Sequence, residues 1–336
     1  MIENYLIRIT YFTEEGKSVG AKLVQAFENI TFEVKDDNIS LKEFARDSFE
    51  GHIPLIFIGA VGIAVRTIAP FIDNKLSDIP VIVIDEKGLN VIPVLSGHYG
   101  MGNDLARDFA KVLNANPVIT TATDVEDVYT IDSFAARNGF RILDKSKIKN
   151  VSMKLLEGQI VYYKNEIEDL KFQDKEPKNI NQASGEKIDF VFTNDKKKDD
   201  GTLILTPKTL VIGMGCKRGK SFEELLSFIL EDYTLEELKD NLYGICSIDK
   251  KANEIGLLKL AAYLHCKFIT FLAEELEAVS GDFSESEFVK ENVGVGNVSE
   301  RAAVCVGAKL IAKKQARDGM TKAYATRDLR SIKWQE

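Results

Sequence analysis

The sequence predicts an α/β protein: amino-terminal and carboxy-terminal α/β domains with mainly parallel sheets, joined by a smaller middle domain. Three observations carry this reading. Short apolar runs alternate with helix-period segments through most of the chain. Glycine-rich turns follow several of the runs, where strand gives way to helix. Between about Val125 and Pro207 the alternation weakens, and after Pro207 it resumes.

The first strand is YLIRITYF (Tyr5 to Phe12), leading past Gly16 into the helical VGAKLVQAF. PLIFIG (Pro54 to Gly59) precedes AVGIAVRTIAPFI, and PVIVID (Pro80 to Asp85) precedes NVIPVLSG and the helix-period YGMGNDLARDFAKVL. PVITTATD (Pro117 to Asp124) closes the first domain. The middle segment holds the apolar pieces SMKLLEGQIVYY, IDFVFT and TLILT between polar tracts that read as solvated loops. Order returns at TLVIGMG, the helix SFEELLSFIL, the strand LYGICSID, the amphipathic NEIGLLKLAAYL with Asn253 as a cap, the strand CKFITFL, and VSERAAVCVGAKLIA as a second strong helix capped by Ser299. The expected ranges are 1–125, 126–207 and 208–336.

Composition excludes several classes. With 336 residues the chain is long enough for two or three domains, and 45% apolar residues supply a core without disulfides or metals. A net charge of −8 argues against a nucleic-acid partner. No apolar stretch is long enough to span a membrane, and MIENYLIRIT does not read as a signal peptide. Four cysteines without CxxC pairing suit the reducing cytoplasm, and three scattered histidines suggest no zinc site. The expectation is therefore a cytoplasmic protein with no metal site and no membrane or nucleic-acid partner.

Chemistry gathers at the turns, because ligands of α/β sheets bind at strand ends and glycine lets backbone amides approach them. The first turn carries Gly59, Gly62 and Arg66; close packing of helix on strand would ask for the same glycines. The second carries Ser96, Gly97, His98, Gly100, Gly102 and Asn103. Histidine is the side-chain type suited to acid–base work near neutral pH, and His98 can equally cap the turn. Asp85 and Glu86 end the preceding strand and can supply a carboxylate to the same crevice, or form a solvated turn. The third turn offers Thr120, Thr121, Thr123 and Asp124, as ligand hydroxyls or as helix caps. The fourth carries Gly213, Gly215, Cys216, Lys217 and Arg218, with Lys220 and Ser221 beyond. Its Gly-Lys-Ser end fits a P-loop, yet Met214 stands where the first glycine belongs, so a nucleotide-dependent enzyme is the weaker alternative. A basic turn for a carboxylate-bearing ligand fits as well. Lys250 and Glu254 follow the next strand, as ligand contacts or as a charge-matched first turn.

Taken together these segments resemble the CbiG family of cobalt-precorrin-5A hydrolases. The resemblance rests on GAVGIAVRTIAP (59–70), VIVIDEKG (81–88), VLSGHYGMGNDLA (94–106) and PVITTATD (117–124) in the first half. In the second it rests on GMGCKRG (213–219), SIDKKANEIGL (247–257), VGVGNVSERAA (293–303) and Thr321-Lys-Ala, a half that is also similar to the CobE family. The family's SGHxGGAN run reads SGHYGMGN here, its DPxV reads Asp-Ile-Pro (78–80), and Ser299 stands where cysteine is frequent. The resemblance implies hydrolysis of the δ-lactone of cobalt-precorrin-5A in anaerobic cobalamin biosynthesis, with release of acetaldehyde and formation of cobalt-precorrin-5B. It implies no cofactor, since cobalt arrives with the substrate. It leaves room for a homodimer or for transient contact with other corrin-pathway enzymes. The rival is a non-enzymatic corrinoid carrier. On this reading His98 is the general base, with Asp85 or Glu86 as second choice, and amides of the Gly97–Gly102 turn hold the oxyanion.

Overall fold

The protein is described here from a computed structural model covering residues 1–74, 77–97, 101–126, 128–197, 201–284 and 295–335. The first unit runs β1 (Ile2–Tyr11), α1 (Glu14–Ala26), β2 (Ile30–Val34), α2 (Leu41–Glu50), β3 (Leu55–Ile58), α3 (Val61–Ile68), β4 (Val81–Ile84), β5 (Asn90–Leu95), α4 (Gly102–Leu113), β6 (Asn116–Pro117) and α5 (Ala122–Val125). Local chemistry sets the helix starts. The Thr13 hydroxyl accepts from the Gly16 amide ahead of α1, and Ser40 and Glu43 form a reciprocal capping box on α2. Strands β1, β3 and β4 are parallel and buried on both faces, which is why they read as unbroken apolar runs. β5 then returns antiparallel to β4, and β6 follows parallel to β5.

The middle unit contains α6 (Ile131–Asn138), β7 (Phe140–Ile142), α7 (Ile148–Leu156), β8 (Val161–Asn165), β9 (Ile180–Gln182), β10 (Phe190–Phe192) and β11 (Leu203–Pro207), with sheet order β7-β11-β10-β8-β9. Its core is aromatic. Trp334, fully buried, stacks on Phe172 at 4.3 Å and on Phe134 at 4.9 Å between ring centroids.

The third unit contains β12 (Leu210–Cys216), α8 (Phe222–Ile229), α9 (Leu235–Asn241), β13 (Leu242–Ile248), α10 (Ile255–Tyr263), β14 (Lys267–Phe271), α11 (Ala273–Ala278), α12 (Val298–Val304), β15 (Ala308–Arg317) and β16 (Met320–Arg327). Strands β12, β13 and β14 are parallel, and β16 and β15 extend the sheet antiparallel beyond β12. Helices α8 and α10 pack on one face of this sheet, α11 and α12 on the other.

Two segments cross the linear ranges. Ile2 to Asn4 of β1 pair antiparallel with β14, so the outer units share one sheet through β1. The carboxy-terminal tail returns to the middle unit, where Asp174 accepts from the Trp334 and Gln335 amides.

Three local expectations are corrected. The helix expected over VSERAAVCVGAKLIA stops at Val304; Gly307, at φ 73°, turns the chain, and Ala308 onward is strand β15. The cap of α12 is Asn297, whose side chain accepts from the Glu300 amide, while Ser299 lies buried inside the first turn. Glu254, not Asn253, occupies the cap position of α10.

Candidate functional site

Strands β5 and β6 run antiparallel to β1, and so do β12, β13 and β14. The carboxyl ends of these five strands therefore point the same way, and two clusters of the expected residues lie there. A third group lies at the carboxyl ends of β3 and β4, which point the other way.

The first cluster joins the second and third turns. His98 and Gly100 lie outside the described residues. Around them, the Ser96 hydroxyl donates to the Asp78 carbonyl at 2.5 Å. Asn103 is buried, and its Nδ2 donates to Thr121 Oγ1 at 3.1 Å and Asp124 Oδ2 at 2.8 Å, tying the start of α4 to the turn after β6. Gly97 is required by closeness: a Cβ there would lie 2.6 Å from Asn103 Oδ1. Thr123 is buried and Thr120 exposed. Arg107, which the sequence reading missed, pairs with Asp104 and Asp124 and completes the network. One expectation changes here. The amides of Gly102 and Asn103 already donate to the Ser96 and Gly97 carbonyls, so neither is free to hold an oxyanion.

The second cluster follows β12 and β13. Cys216 is partly buried, and burial pushes its thiol up to about 11, so a thiolate nucleophile is not available at neutral pH. Lys217 and Arg218 are exposed and make no ion pair among the described residues. Glu254 clamps the turn: it accepts from the Gly219 amide at 2.8 Å and pairs with Lys251 at 2.7 Å, with only 10% of its side chain exposed. Lys251 is a second residue that sequence reasoning missed; its adjacency to Lys250 was the available signal. Lys250 is exposed at the start of the neighbouring turn. Thr321 Oγ1 donates to the Gly215 carbonyl at 3.4 Å. Gly213 faces elsewhere, since a Cβ there would lie 1.7 Å from the Ser299 carbonyl oxygen; this glycine admits α12 onto the sheet. The P-loop comparison also weakens. Lys220 pairs with Glu224 at 2.7 Å, and the Ser221 hydroxyl accepts from the Glu224 amide as the cap of α8. Lysine and hydroxyl are thus engaged in starting a helix.

The third group stands apart. Gly59 packs against the Phe12 ring, and exposed Arg66 donates from Nη1 back to the Gly62 carbonyl at 3.2 Å. Asp85 does not share the crevice of the Ser96 turn, and neither does its neighbour Glu86. Val81 pairs with Leu95 and Ile84 with Val91, so Asp85 and Ser96 sit at opposite ends of the hairpin. That is about 16 Å at ~3.3 Å per residue. Asp85 instead closes its own turn, accepting from the Lys87, Leu89 and Asn90 amides and from Asn90 Nδ2. Partial burial pushes its carboxyl up, but these hydrogen bonds outweigh burial and hold it below the ordinary value.

The two co-directed clusters are also separated. The end of β13 is level with Ile2 of β1, and Leu95 is level with Arg8. Six residues of β1 amount to about 20 Å along the strand. The second cluster offers Lys217 and Arg218, exposed on a glycine bend and without ion pairs among the described residues, which suits carboxylates. The first offers a rigid carboxamide and hydroxyl network beside a turn rich in glycine.

Comparison with known proteins bears on both clusters. A family model described as Cobalamin synthesis G N-terminal matches residues 43–124, and one described as Cobalamin synthesis G C-terminus matches residues 210–325. The cobalt-precorrin-5A hydrolase of Salmonella typhimurium is 37% identical over 272 residues, covering 77% of each chain. That of Priestia megaterium is 35% identical over 276 residues, covering 76% of this chain and 73% of its own. Among solved structures, a cobalamin biosynthesis protein G homolog from Sulfolobus solfataricus aligns with a TM-score of 0.43 at 22% identity, covering 96% of this chain and 97% of its own. CobE, a protein of the cobalamin pathway, aligns with a TM-score of 0.32 at 28% identity, covering 35% of this chain and 92% of its own.

Proposed function

The chain belongs to the CbiG family, and from that premise we propose that it hydrolyses cobalt-precorrin-5A, opening the δ-lactone and releasing the two-carbon fragment as acetaldehyde. The observation that carries this is 37% identity over 272 residues to a cobalt-precorrin-5A hydrolase, covering 77% of each chain. The chemistry of the second cluster agrees with it. The substrate is a macrocycle rimmed by carboxylates, and Lys217 and Arg218 are exposed cations without ion-pair partners among the described residues.

In the proposed mechanism water adds to the lactone carbonyl while His98 takes its proton. The carbonyl–oxygen bond then breaks, giving a carboxylate on the ring and a hydroxyl on the two-carbon unit. Loss of the hydroxyl proton and cleavage of the adjoining carbon–carbon bond release acetaldehyde, with the electron pair taken into the conjugated macrocycle and later protonated there. No residue other than His98 is assigned a proton in this scheme, because Asp85 is held in its own turn.

The test is incubation with cobalt-precorrin-5A, with mass analysis of the corrinoid and trapping of acetaldehyde. Wild type is expected to yield cobalt-precorrin-5B and one acetaldehyde per turnover. His98→Gln is expected to lose about 100-fold in kcat, the usual worth of a general base. Corrinoid binding without acetaldehyde would make the protein a carrier. Near-wild-type turnover by His98→Gln would remove the histidine from the mechanism.

A further inference from the structure

The basic bend of the second cluster, Lys217 and Arg218, is held at both ends. At the first end the ladder between β12 and β16 pairs Gly215 with Thr321 and Cys216 with Met320. It runs one rung further, where the Lys217 amide donates to the Gly319 carbonyl at 2.8 Å. The Lys217 side chain uses the same support. A Cβ at Gly319 would lie 2.7 Å from Lys217 Cδ and 2.9 Å from Cγ, so the methylene stem rests on the tip of the β15–β16 hairpin. Gly319 stands at φ 76°, a conformation that favours glycine as well. The tip is anchored in turn. Lys322, fully buried, reaches Asp232 at 2.6 Å and donates to the Phe228 carbonyl. Arg317 pairs with Glu231. These contacts fasten the hairpin to α8 and to the segment that follows it.

At the second end Glu254 accepts from the Gly219 amide through Oε1 and from Lys251 through Oε2. Both oxygens are engaged and the side chain is nearly buried, so Glu254 is not placed to touch a ligand itself. Lys217 and Arg218, between the two supports, stay exposed. A bend fixed at both ends presents its cations without first ordering a loose loop, and the cost of binding falls accordingly. The guanidinium fork and the ammonium both suit carboxylate oxygens.

We propose that Glu254 and Gly319 are positioning residues, which hold Lys217 and Arg218 in the arrangement that binds a carboxylate of the substrate. Glu254 acts through the Gly219 amide and Gly319 through the main chain and stem of Lys217. The identity of the ligand rests on the function proposed above; the support of the bend does not.

The experiment measures kcat and KM of the full chain for cobalt-precorrin-5A, and titrates the same proteins with citrate by calorimetry. Glu254→Ala is expected to raise KM roughly tenfold at unchanged kcat and to weaken citrate binding by a similar factor. Glu254→Gln keeps an acceptor for the Gly219 amide, so it is expected to recover most of both losses. Gly319→Ala is expected to raise KM on its own and to add nothing in a Lys217→Gln background, since the stem it displaces no longer carries a charge. A general loss of stability would add in both backgrounds. Lys42→Ala, exposed on α2, is the control and should match wild type. If Glu254→Ala fails to fold, the cycle of Gly319→Ala with Lys217→Gln decides alone. Three results each overturn the proposal: unchanged KM and citrate affinity in Glu254→Ala, a glutamine variant no better than the alanine one, or full additivity in the cycle. Absence of acetaldehyde from the wild type would count against the function above and leave the citrate titrations to judge the bend, and no saturable citrate binding would then overturn it too.

Discussion

At Met101 the chain adopts φ 60° at the residue before α4, a left-handed conformation in which a side chain is disfavoured. The CbiG pattern SGHxGGAN places glycine at this position, and the structure supplies the reason. The chain must reverse between β5 and α4 while Gly102 stays packed against the Ser96 carbonyl, where an added Cβ would lie 3.0 Å from the oxygen. The backbone conformation is imposed from both sides, and methionine accepts it at a cost. Met101→Gly relieves the strain but gives the unfolded chain more freedom, two effects of opposite sign. The strain is the larger, so the variant is expected to be more stable by roughly 0.5–1 kcal/mol. A urea titration reads this directly, and a midpoint equal to or below wild type would show that the loop is not strained. Ser96, at φ 54°, shares the turn and has a compensation Met101 lacks, since its hydroxyl reaches the Asp78 carbonyl.

Among the elements, those with one clear period were legible in the sequence. β3, β4, β12 and β13 are buried runs bounded by turns, and α10 and α4 carry apolar faces at helical spacing. β15 was not legible. Ala308 to Ile311 look helical when joined to α12, and only the positive φ at Gly307 and the pairing with β16 make them strand. Pairing between distant segments leaves no local period, so the junction of β1 with β14 and the return of the tail were also invisible. The site shows the same division. The turns were found as motifs, but their grouping depends on strand direction, and the reversal at β5 separated Asp85 from Ser96. The tail allows a sharp test. Trp334 is fully buried among Phe134, Tyr163, Phe172, Phe190 and Phe192, rings contributed by separated parts of the middle unit. Trp334→Ala should cost about 3–5 kcal/mol through lost packing and the cavity left behind. Fluorescence of the only tryptophan is lost with it. The measurement is therefore denaturant unfolding followed by circular dichroism, and a loss under about 1 kcal/mol would mean the tail is not part of that core.

Across the whole molecule, the contact between the first and third units involves a pair of histidines. His52 follows α2 and leads to β3, His265 follows α10 and leads to β14, and their rings lie 4.0 Å apart. Both stand at positive φ, 55° and 50°. Burial, then the charge of Lys239, holds His52 below its ordinary value. For His265 burial again comes first, followed by His52, Lys208, Lys239 and Lys145. His265 keeps part of its surface in solvent, so its effect is screened more than that of His52, whose Nδ1 is buried without a partner. The sign follows from proton counting. Below about pH 6.5 the unfolded chain protonates these rings while the folded chain resists, so the unfolded state binds more protons and stability is lost as the pH is lowered. Above that value the two states bind alike and the contribution is constant. One such group can add at most about 1.4 kcal/mol per pH unit to the slope. Asparagine tolerates the left-handed backbone, so His52→Asn removes the titration without forcing the turn to change. Between pH 7 and pH 5 wild type should lose stability faster than His52→Asn, with the two curves parallel above pH 7. Urea midpoints across that range decide the matter: parallel curves throughout would show that the junction of the two units does not exclude protons.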